Sequence, residues 1–182
     1  MSAHKFYGPK GIGALYIRRR GPRANLTAQI DGGGHERGFR SGTLNVTGIV
    51  GMGMAASICQ AKMNEEITSL RRMRDYLENA LLEFGNVLIN GKFSQRMAHV
   101  SNISFEKLSA ERLIGLMNGE VAFSVGSACT SASKEPSHVL EAMGLSENSL
   151  KGSVRLSLGR FTTKEEITKT IEIFTKTIEK LS

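Results

Sequence analysis

The sequence has little cysteine, no tryptophan and no long apolar run. Its 182 residues include two cysteines and three prolines. Cys59 and Cys129 stand in unlike contexts without metal-type spacing, which excludes a disulfide framework or a zinc site. The longest apolar stretch, IVGMGMAASI, is about half of the ~20 residues that span a bilayer. These absences predict a protein of a reducing compartment that does not cross a membrane.

The amino terminus and the charge argue against two further classes of protein. Met1 to Lys5 lead into Gly-Pro-Lys-Gly rather than into the apolar core of a signal peptide, so a cytoplasmic location is expected. The formal net charge is +7, but the arginines cluster only weakly, at 18–23 and 71–74. Without a nucleic-acid motif, these runs indicate solvated faces, and no direct binding of nucleic acid is predicted.

Alternating strand and helix signals predict an α/β or α+β architecture. Short branched and aromatic runs predict strands at 11–19, 25–30, 87–90, 99–105, 120–125 and 153–161. Helical periodicity and capping residues predict a buried small-residue helix from Asn45, an amphipathic helix ending near Gly85, and helices at 109–118, 136–144 and 162–181.

Lys5 is the first candidate for chemistry. Most lysines are solvated surface charges, and that alternative stays open here. His4 precedes Lys5, however, and a glycine-bearing turn with an apolar segment follows. We therefore expect Lys5 to lie near buried backbone, where the uncharged amine is favoured and can attack a carbonyl group. The neighbouring GPKGIG lacks the spacing of a dinucleotide-binding loop and is a poor phosphate site.

The segment 31–43, DGGGHERGFRSGT, contains five glycines and is predicted to be a loop. It could be a flexible surface connection. It could also bind an anion, because a helix begins after it and several side chains can donate hydrogen bonds: Arg37, Arg40, Ser41 and Thr43. His35 and Glu36 have no further metal ligands nearby, so no metal site is predicted.

Cys129 is the second candidate, because GSACTSAS surrounds it with residues too small to cover it. An accessible thiol needs only a modest fall in pKa to become a thiolate at neutral pH. Cys59, among Ala, Ser, Ile and Met, is predicted to be buried and inert. The surroundings of Cys129 favour a reactive cysteine.

Arg155 is the third candidate. Alternation along the predicted strand SVRLSLGR places it on the same face as Ser153 and Ser157. An arginine that projects from a strand into a cleft suits the bidentate capture of a carboxylate. An exposed arginine on an edge strand is the alternative.

Four motifs in this order, SAHKFYGPKGIGALY, GGGHERGFRSGT, SVGSACTSAS and VRLSLGRFTT, resemble those of one family. They are similar to the pyridoxal-phosphate-dependent cysteine desulfurases of the iron–sulfur-cluster and nitrogen-fixation type, within the class V aminotransferases. The likeness covers essentially the whole chain. It implies the α/β fold of a fold-type I pyridoxal-phosphate transferase, with residues 1–62 as the end of the cofactor-binding large domain and 63–182 as the small carboxy-terminal domain.

The resemblance implies four cofactor-binding positions. Lys5 would carry pyridoxal 5'-phosphate covalently and would shuttle a proton, and His4 beside it would belong to the catalytic site. Ser2 and His4 would contact the phosphate region of the cofactor. Thr43 would bind the phosphate of the neighbouring subunit's cofactor, which implies a homodimer.

The resemblance also implies the substrate and the sulfur carrier. Arg155 would hold the carboxylate of L-cysteine, and Cys129 would accept its sulfur as a persulfide. The persulfide would then supply a scaffold protein for iron–sulfur cluster assembly, or tRNA thiolation.

Relatives of this kind carry an amino-terminal half that supplies other walls of the cofactor pocket. The chain is therefore expected to be a carboxy-terminal portion that is weakly active or inactive alone. A non-catalytic module that binds partners is the alternative from another class. Selenocysteine lyase chemistry on the same fold is a further one, and the small-residue loop around Cys129 argues mildly against it.

Overall fold

The computed structural model describes residues 1–22, 24–125 and 137–181. The chain divides into two compact units, Met1–Met63 and Asn64–Ser182. Within the described residues, no helix is both long and apolar enough to cross a membrane.

The first unit contains two short 3-10 helices, Ala3–Phe6 and Glu36–Gly38, and the beginning of a long α-helix. The strands predicted at 11–19 and 25–30 are wrong: across the described part of this unit, the β-pairing is the isolated bridge between Ser2 and Gly13. A strand forms only where another strand accepts its backbone hydrogen bonds, and beyond this bridge the described residues give these segments no such neighbour. Leu15 and Tyr16 are accordingly exposed.

Helix α1, Val46–Leu82, is one continuous helix of 37 residues rather than two. The Asn45 side-chain oxygen accepts from the Gly48 amide at 3.0 Å and satisfies one free donor of its first turn. The expectation that its first half is buried is wrong, because Val50 and Met54 are 66% and 62% exposed. Small residues made the segment look like a packed interior helix, but the first unit offers few partners to cover it.

The second unit is built on a four-stranded antiparallel sheet. Its strands are β1 (Val87–Ile89), β2 (Val100–Phe105), β3 (Ser124–Val125) and β4 (Ser153–Ser157), in the order β1-β2-β4-β3. Strands predicted at 87–90, 99–105 and 153–161 are confirmed with shorter bounds. The one predicted at 120–125 is confirmed only for its last two residues.

The described part of this unit also contains four helices after α1: α2 (Ala110–Met117), α3 (His138–Ala142), α4 (Glu147–Lys151) and α5 (Lys164–Glu179). The predicted caps are present. The Ser109 hydroxyl accepts from the Arg112 amide, and Thr163 with Glu166 forms a reciprocal capping box. Helix α4 was not predicted, since its five residues are too few to show a period.

One face of the sheet forms the core. Ile103, Phe105 and Val154 are at most 2% exposed and belong to the same buried cluster as residues of α1, α2 and α5. The Phe105 ring stacks on that of Phe174 from α5, with centroids 5.6 Å apart. Because side chains alternate along each strand, the opposite face carries the other half of the residues. Most of these are polar, with Leu88 and Val100 as the apolar exceptions, and we call it the polar face.

A buried ionic cluster lies in the second unit. Glu78 on α1 accepts two hydrogen bonds from the Arg96 guanidinium, at 2.7 and 2.9 Å, and one from the Ser101 hydroxyl at 2.6 Å. Arg74 approaches the same carboxylate at 3.8 Å and donates to the Met97 carbonyl at 2.8 Å. The hydrogen bonds that Arg96 donates to the Glu78 carboxylate raise the pKa of Arg96 above its usual value. The cluster fixes the segment between β1 and β2 against α1.

Replacing Glu78 with alanine should lower the free energy of unfolding of the second unit by about 3–5 kcal/mol, because the largely buried Arg96 would lose its carboxylate partner and the buried Ser101 hydroxyl would lose its acceptor. Urea unfolding measures the change. Glu147→Ala serves as the control, since Glu147 pairs with Lys151 at the exposed surface, and its unfolding midpoint should not change. A Glu78→Ala midpoint equal to that of the control would contradict the account.

Candidate functional site

The amino-terminal turn that carries Lys5 is fixed by backbone contacts. Ala3 is fully buried, its amide donates to the Ile12 carbonyl at 3.0 Å, and its carbonyl accepts from Gly8 at 2.9 Å. A Cβ atom on Gly13 would lie 2.6 Å from the Met1 carbonyl oxygen. Gly8 and Gly13 therefore allow close approach of neighbouring atoms, and Gly11 has a φ of +79°, so all three glycines of GPKGIG are explained without a phosphate.

Lys5 itself is exposed, as are Ser2 and His4. The expected buried backbone lies two residues away, at Ala3, but the Lys5 side chain is not buried with it. The described part of the first unit buries the backbone of the turn at Ala3 but supplies nothing that covers the lysine side chain. The turn thus presents three polar side chains on a rigid base.

The glycine-rich loop at 31–43 folds on itself. Gly38 and Gly42 have φ values of +83° and +99°, which favour glycine. Ser41 is 4% exposed and its hydroxyl accepts from the Gly34 amide at 3.2 Å, so it serves the loop and does not face a ligand. Thr43 is exposed. Of the four residues predicted to donate hydrogen bonds to an anion, Ser41 is therefore the one that the structure excludes from that role.

Arg155 lies at the centre of the sheet. Its strand, β4, runs between β2 and β3, and Arg155 pairs with Asn102 on one side and with Ser124 on the other. The alternative of an edge arginine is therefore wrong, and the predicted placement on the polar face with Ser153 and Ser157 is confirmed by the register.

The guanidinium of Arg155 is incompletely paired. Its Nε atom is buried and has no hydrogen-bond partner within the described part of the chain. Leaving a buried charged donor unpaired costs free energy, so such groups are rare in proteins. An unsatisfied arginine on a half-buried polar face suits an anionic ligand such as a carboxylate.

Cys129 and the GSACTSAS segment lie outside the described residues. Strand β3 ends at Val125, four residues before the cysteine, and is paired directly to the strand of Arg155. The other cysteine, Cys59, is half-buried, with its Sγ 3.5 Å from the Phe6 carbonyl oxygen.

Comparison with known proteins agrees with these features. Residues 1–170 match the family model described as aminotransferase class-V. The chain belongs to the aminotransferase class-V family. The predicted class V resemblance is confirmed.

Curated relatives and solved structures refine the comparison. The chain is 51% identical over 181 residues to the cysteine desulfurase IscS of Mannheimia succiniciproducens, covering 100% of this chain and 44% of the relative. A solved NifS-like protein matches with a TM-score of 0.80 and 33% identity, over 99% of this chain and 45% of that one. A NifS-like protein from Rickettsia africae matches with a TM-score of 0.74 and 30% identity, over 86% and 41%. The chain thus spans less than half the length of the relatives it matches.

The residues present fit pyridoxal phosphate, the cofactor that the family implies. Covalent attachment needs a primary amine on a rigid support, and Lys5 stands on a turn whose glycines allow backbone contacts that a Cβ would block. Ser2 and His4 are accessible on the same turn. Lys5 and Thr43 belong to the first unit, and Arg155 belongs to the second.

Two residues of the polar face were not recognised from the sequence. Asn102 pairs with Arg155 across β2 and β4, and Asn90, just after β1, hydrogen-bonds Asn102 at 2.6 Å. Neither asparagine belongs to a local motif. For Asn102 the signal is the alternation of β2, which places Asn102 and Ser104 on the face opposite Ile103 and Phe105. Asn90 lies outside β2 and has no such signal.

Proposed function

We propose that the chain is part of a cysteine desulfurase, which converts L-cysteine to L-alanine and transfers the sulfur to Cys129 as a persulfide. The observation that carries the proposal is the buried Nε of Arg155 without a partner, on the strand beside the one that leads to Cys129. The relatives named cysteine desulfurase and NifS-like protein support it.

The short stretch of chain between Val125 and Cys129 limits how far Cys129 can lie from the strand that pairs with Arg155. Ser124 pairs with Arg155, and Cys129 follows Val125 by four positions along the chain. An extended chain spans at most about 3.3–3.6 Å per residue, so the Cys129 Cα lies within ~14 Å of the Val125 Cα. This limit is compatible with transfer of sulfur to Cys129 from an amino acid whose carboxylate is bound at Arg155.

The chemistry assigns a task to each residue. When bound, pyridoxal phosphate supplies an electron sink for the substrate carbon atoms. Lys5 holds it and moves the substrate's α-proton with its amine. The Cys129 thiolate attacks the substrate sulfur, which forms a sulfur–sulfur bond and breaks the carbon–sulfur bond. The electron pair of that bond goes to carbon, which gains a proton and becomes the methyl group of alanine.

The proposal includes further family features. Ser2 and His4 contact the cofactor, and Thr43 binds the phosphate of the neighbouring subunit's cofactor in a homodimer. The residues up to 62 belong to the cofactor-binding domain, and 63–182 form the small domain. The persulfide supplies an acceptor scaffold protein for iron–sulfur cluster assembly, or tRNA thiolation. We expect this to occur in the cytoplasm.

The full polypeptide that carries these residues, loaded with pyridoxal phosphate, should form alanine from L-cysteine in the presence of a thiol reductant. Arg155→Met should raise the KM for L-cysteine by at least ~10-fold, because hydrogen bonds from a charged donor to the carboxylate are lost. Alanine is measured by chromatography.

The matched control is Arg112→Met, which removes an exposed arginine of α2 and should leave the KM unchanged. Absence of alanine formation by the unsubstituted protein would overturn the proposal. An unchanged KM in Arg155→Met would remove Arg155 from the site.

A further inference from the structure

We propose that Asn102 is a substrate-binding residue, whose side-chain Nδ2 donates to the carboxylate beside Arg155. The inference rests on the proposed function, in which Arg155 holds a carboxylate. It extends the site by one donor, and it assigns Asn90 as the residue that orients that donor.

The sheet register brings Asn102 and Arg155 close. Phe105 donates to the Gly152 carbonyl and Leu158 to the His99 carbonyl, which makes the alternate pairs between β2 and β4 the hydrogen-bonded ones. Asn102 and Arg155 therefore form a non-hydrogen-bonded pair, the class with the closer side chains.

The neighbouring pair of the same class shows how close such side chains come. Ser104 and Ser153 are the next partners along the same face, and their hydroxyl oxygens are 2.8 Å apart. Both serines are buried, at 0% and 3% exposure. This pair also begins a hydrogen-bond chain that leads to Asn102.

The direction of that chain follows from its last acceptor. The Ser153 hydroxyl lies 2.7 Å from the Ser149 carbonyl, which can only accept, so Ser153 is the donor there. The Ser104 hydroxyl has two acceptors within reach, Ser153 Oγ at 2.8 Å and Asn90 Oδ1 at 3.2 Å. Because the Ser153 proton is already used, the shorter contact requires the Ser104 proton, and Ser153 accepts from Ser104. Ser104 in turn accepts from Asn90 Nδ2, at 2.8 Å. The second proton of Asn90 Nδ2 is given to Asn102 Oδ1, at 2.6 Å.

This chain fixes the orientation of the Asn102 amide. Its oxygen is held toward β1, where Asn90 lies. Strands β1 and β4 flank β2 on opposite sides, so the Nδ2 donor is turned toward the β4 side and Arg155. The Asn102 amide NH₂ cannot form a hydrogen bond with the Arg155 guanidinium, because both groups are donors. Two adjacent donors suit a shared acceptor, and a carboxylate has two oxygens for them.

The test measures binding to the full polypeptide of two probes that differ in the carboxylate. One probe, 3-mercaptopropanoate, has the thiol and carboxylate of the substrate but no amine. The other, cysteamine, has the thiol and amine but no carboxylate. Two-dimensional NMR follows the Arg155 Nε–H and Asn102 Nδ2 signals, so the readout requires no turnover. Addition of 3-mercaptopropanoate should shift both signals, and cysteamine should shift neither.

Asn102→Asp is the matched variant, because it keeps the oxygen that accepts from Asn90 but replaces the donor by a negative charge. Its affinity for 3-mercaptopropanoate should fall by at least ~10-fold, whereas its affinity for cysteamine should not fall. Asn118→Asp, at an exposed asparagine after α2, adds the same charge elsewhere and should leave both affinities unchanged.

Unchanged 3-mercaptopropanoate binding in Asn102→Asp, or no shift of the Asn102 signal in the unsubstituted protein, would overturn the inference. The second outcome is independent of whether the variant folds. A different outcome would contradict the proposed function without contradicting the role of Asn102. If both signals shift but the loaded protein forms no alanine, the carboxylate site stands and the desulfurase activity does not.

Discussion

Lys5→Ala is expected to abolish the absorbance band that pyridoxal phosphate gives near the visible edge when it is bound covalently. The alanine side chain has no amine to attach the cofactor or to move the substrate's α-proton. Loss of the proton transfer alone should slow alanine formation by about 10²–10⁴-fold. The expected band and its loss are measured on the full polypeptide by absorbance, and the rate by alanine release.

A second lysine in the same segment provides the control. Lys10 is also exposed, so Lys10→Ala should keep both the band and the rate. Borohydride reduction followed by digestion should leave the cofactor on the peptide that contains Lys5. Cofactor on any other lysine, or a full band in Lys5→Ala, would contradict the assignment.

Cys129→Ser is expected to stop sulfur transfer while leaving substrate binding intact. The serine hydroxyl does not ionise near neutral pH and cannot replace a thiolate as the attacking group. Alanine formation should fall by at least ~100-fold. The absorbance change on addition of L-cysteine should persist, because Lys5 and Arg155 are unaltered.

Cys59→Ser is the matched control, since it replaces the other cysteine of the chain, on α1, and should keep the rate of alanine formation. Equal rates in Cys129→Ser and the unsubstituted protein would contradict the sulfur-transfer step. A loss of the absorbance change in Cys129→Ser would instead indicate damage to substrate binding.

Helices with local signals were predictable from the sequence. The capping box of Thr163 and Glu166 and the cap at Ser109 are satisfied by residues three positions apart, so the sequence contains both partners. The apolar periodicity of α5 likewise depends only on its own residues. These elements form where they were predicted.

The errors concern contacts that a local pattern does not contain. The run at 11–19 has the residues of a strand, yet a strand also needs a neighbour, and the described residues of the first unit supply only the bridge at Gly13. The first half of α1 has the composition of a buried helix, but burial depends on what packs against it. In both cases the deciding interaction is tertiary.

The candidate site likewise contains a residue that a local pattern predicts and residues that only tertiary contacts bring to it. Alternation in SVRLSLGR places Arg155 on the polar face, as the sheet confirms. Its partner Asn102 was not predicted, because 53 positions along the chain separate the two residues, and only the antiparallel register joins them. Asn90 comes from a third strand segment, and its role depends on a hydrogen-bond chain through two serines.

Mass spectrometry of the chain after one turnover tests the central claim most directly. The loaded full polypeptide is mixed with a limiting amount of L-cysteine, without reductant or acceptor, then digested. The account predicts one added sulfur atom on the peptide that contains Cys129, and one alanine for each sulfur added. Alanine formed without added sulfur on Cys129, or sulfur found on Cys59 instead, would contradict it.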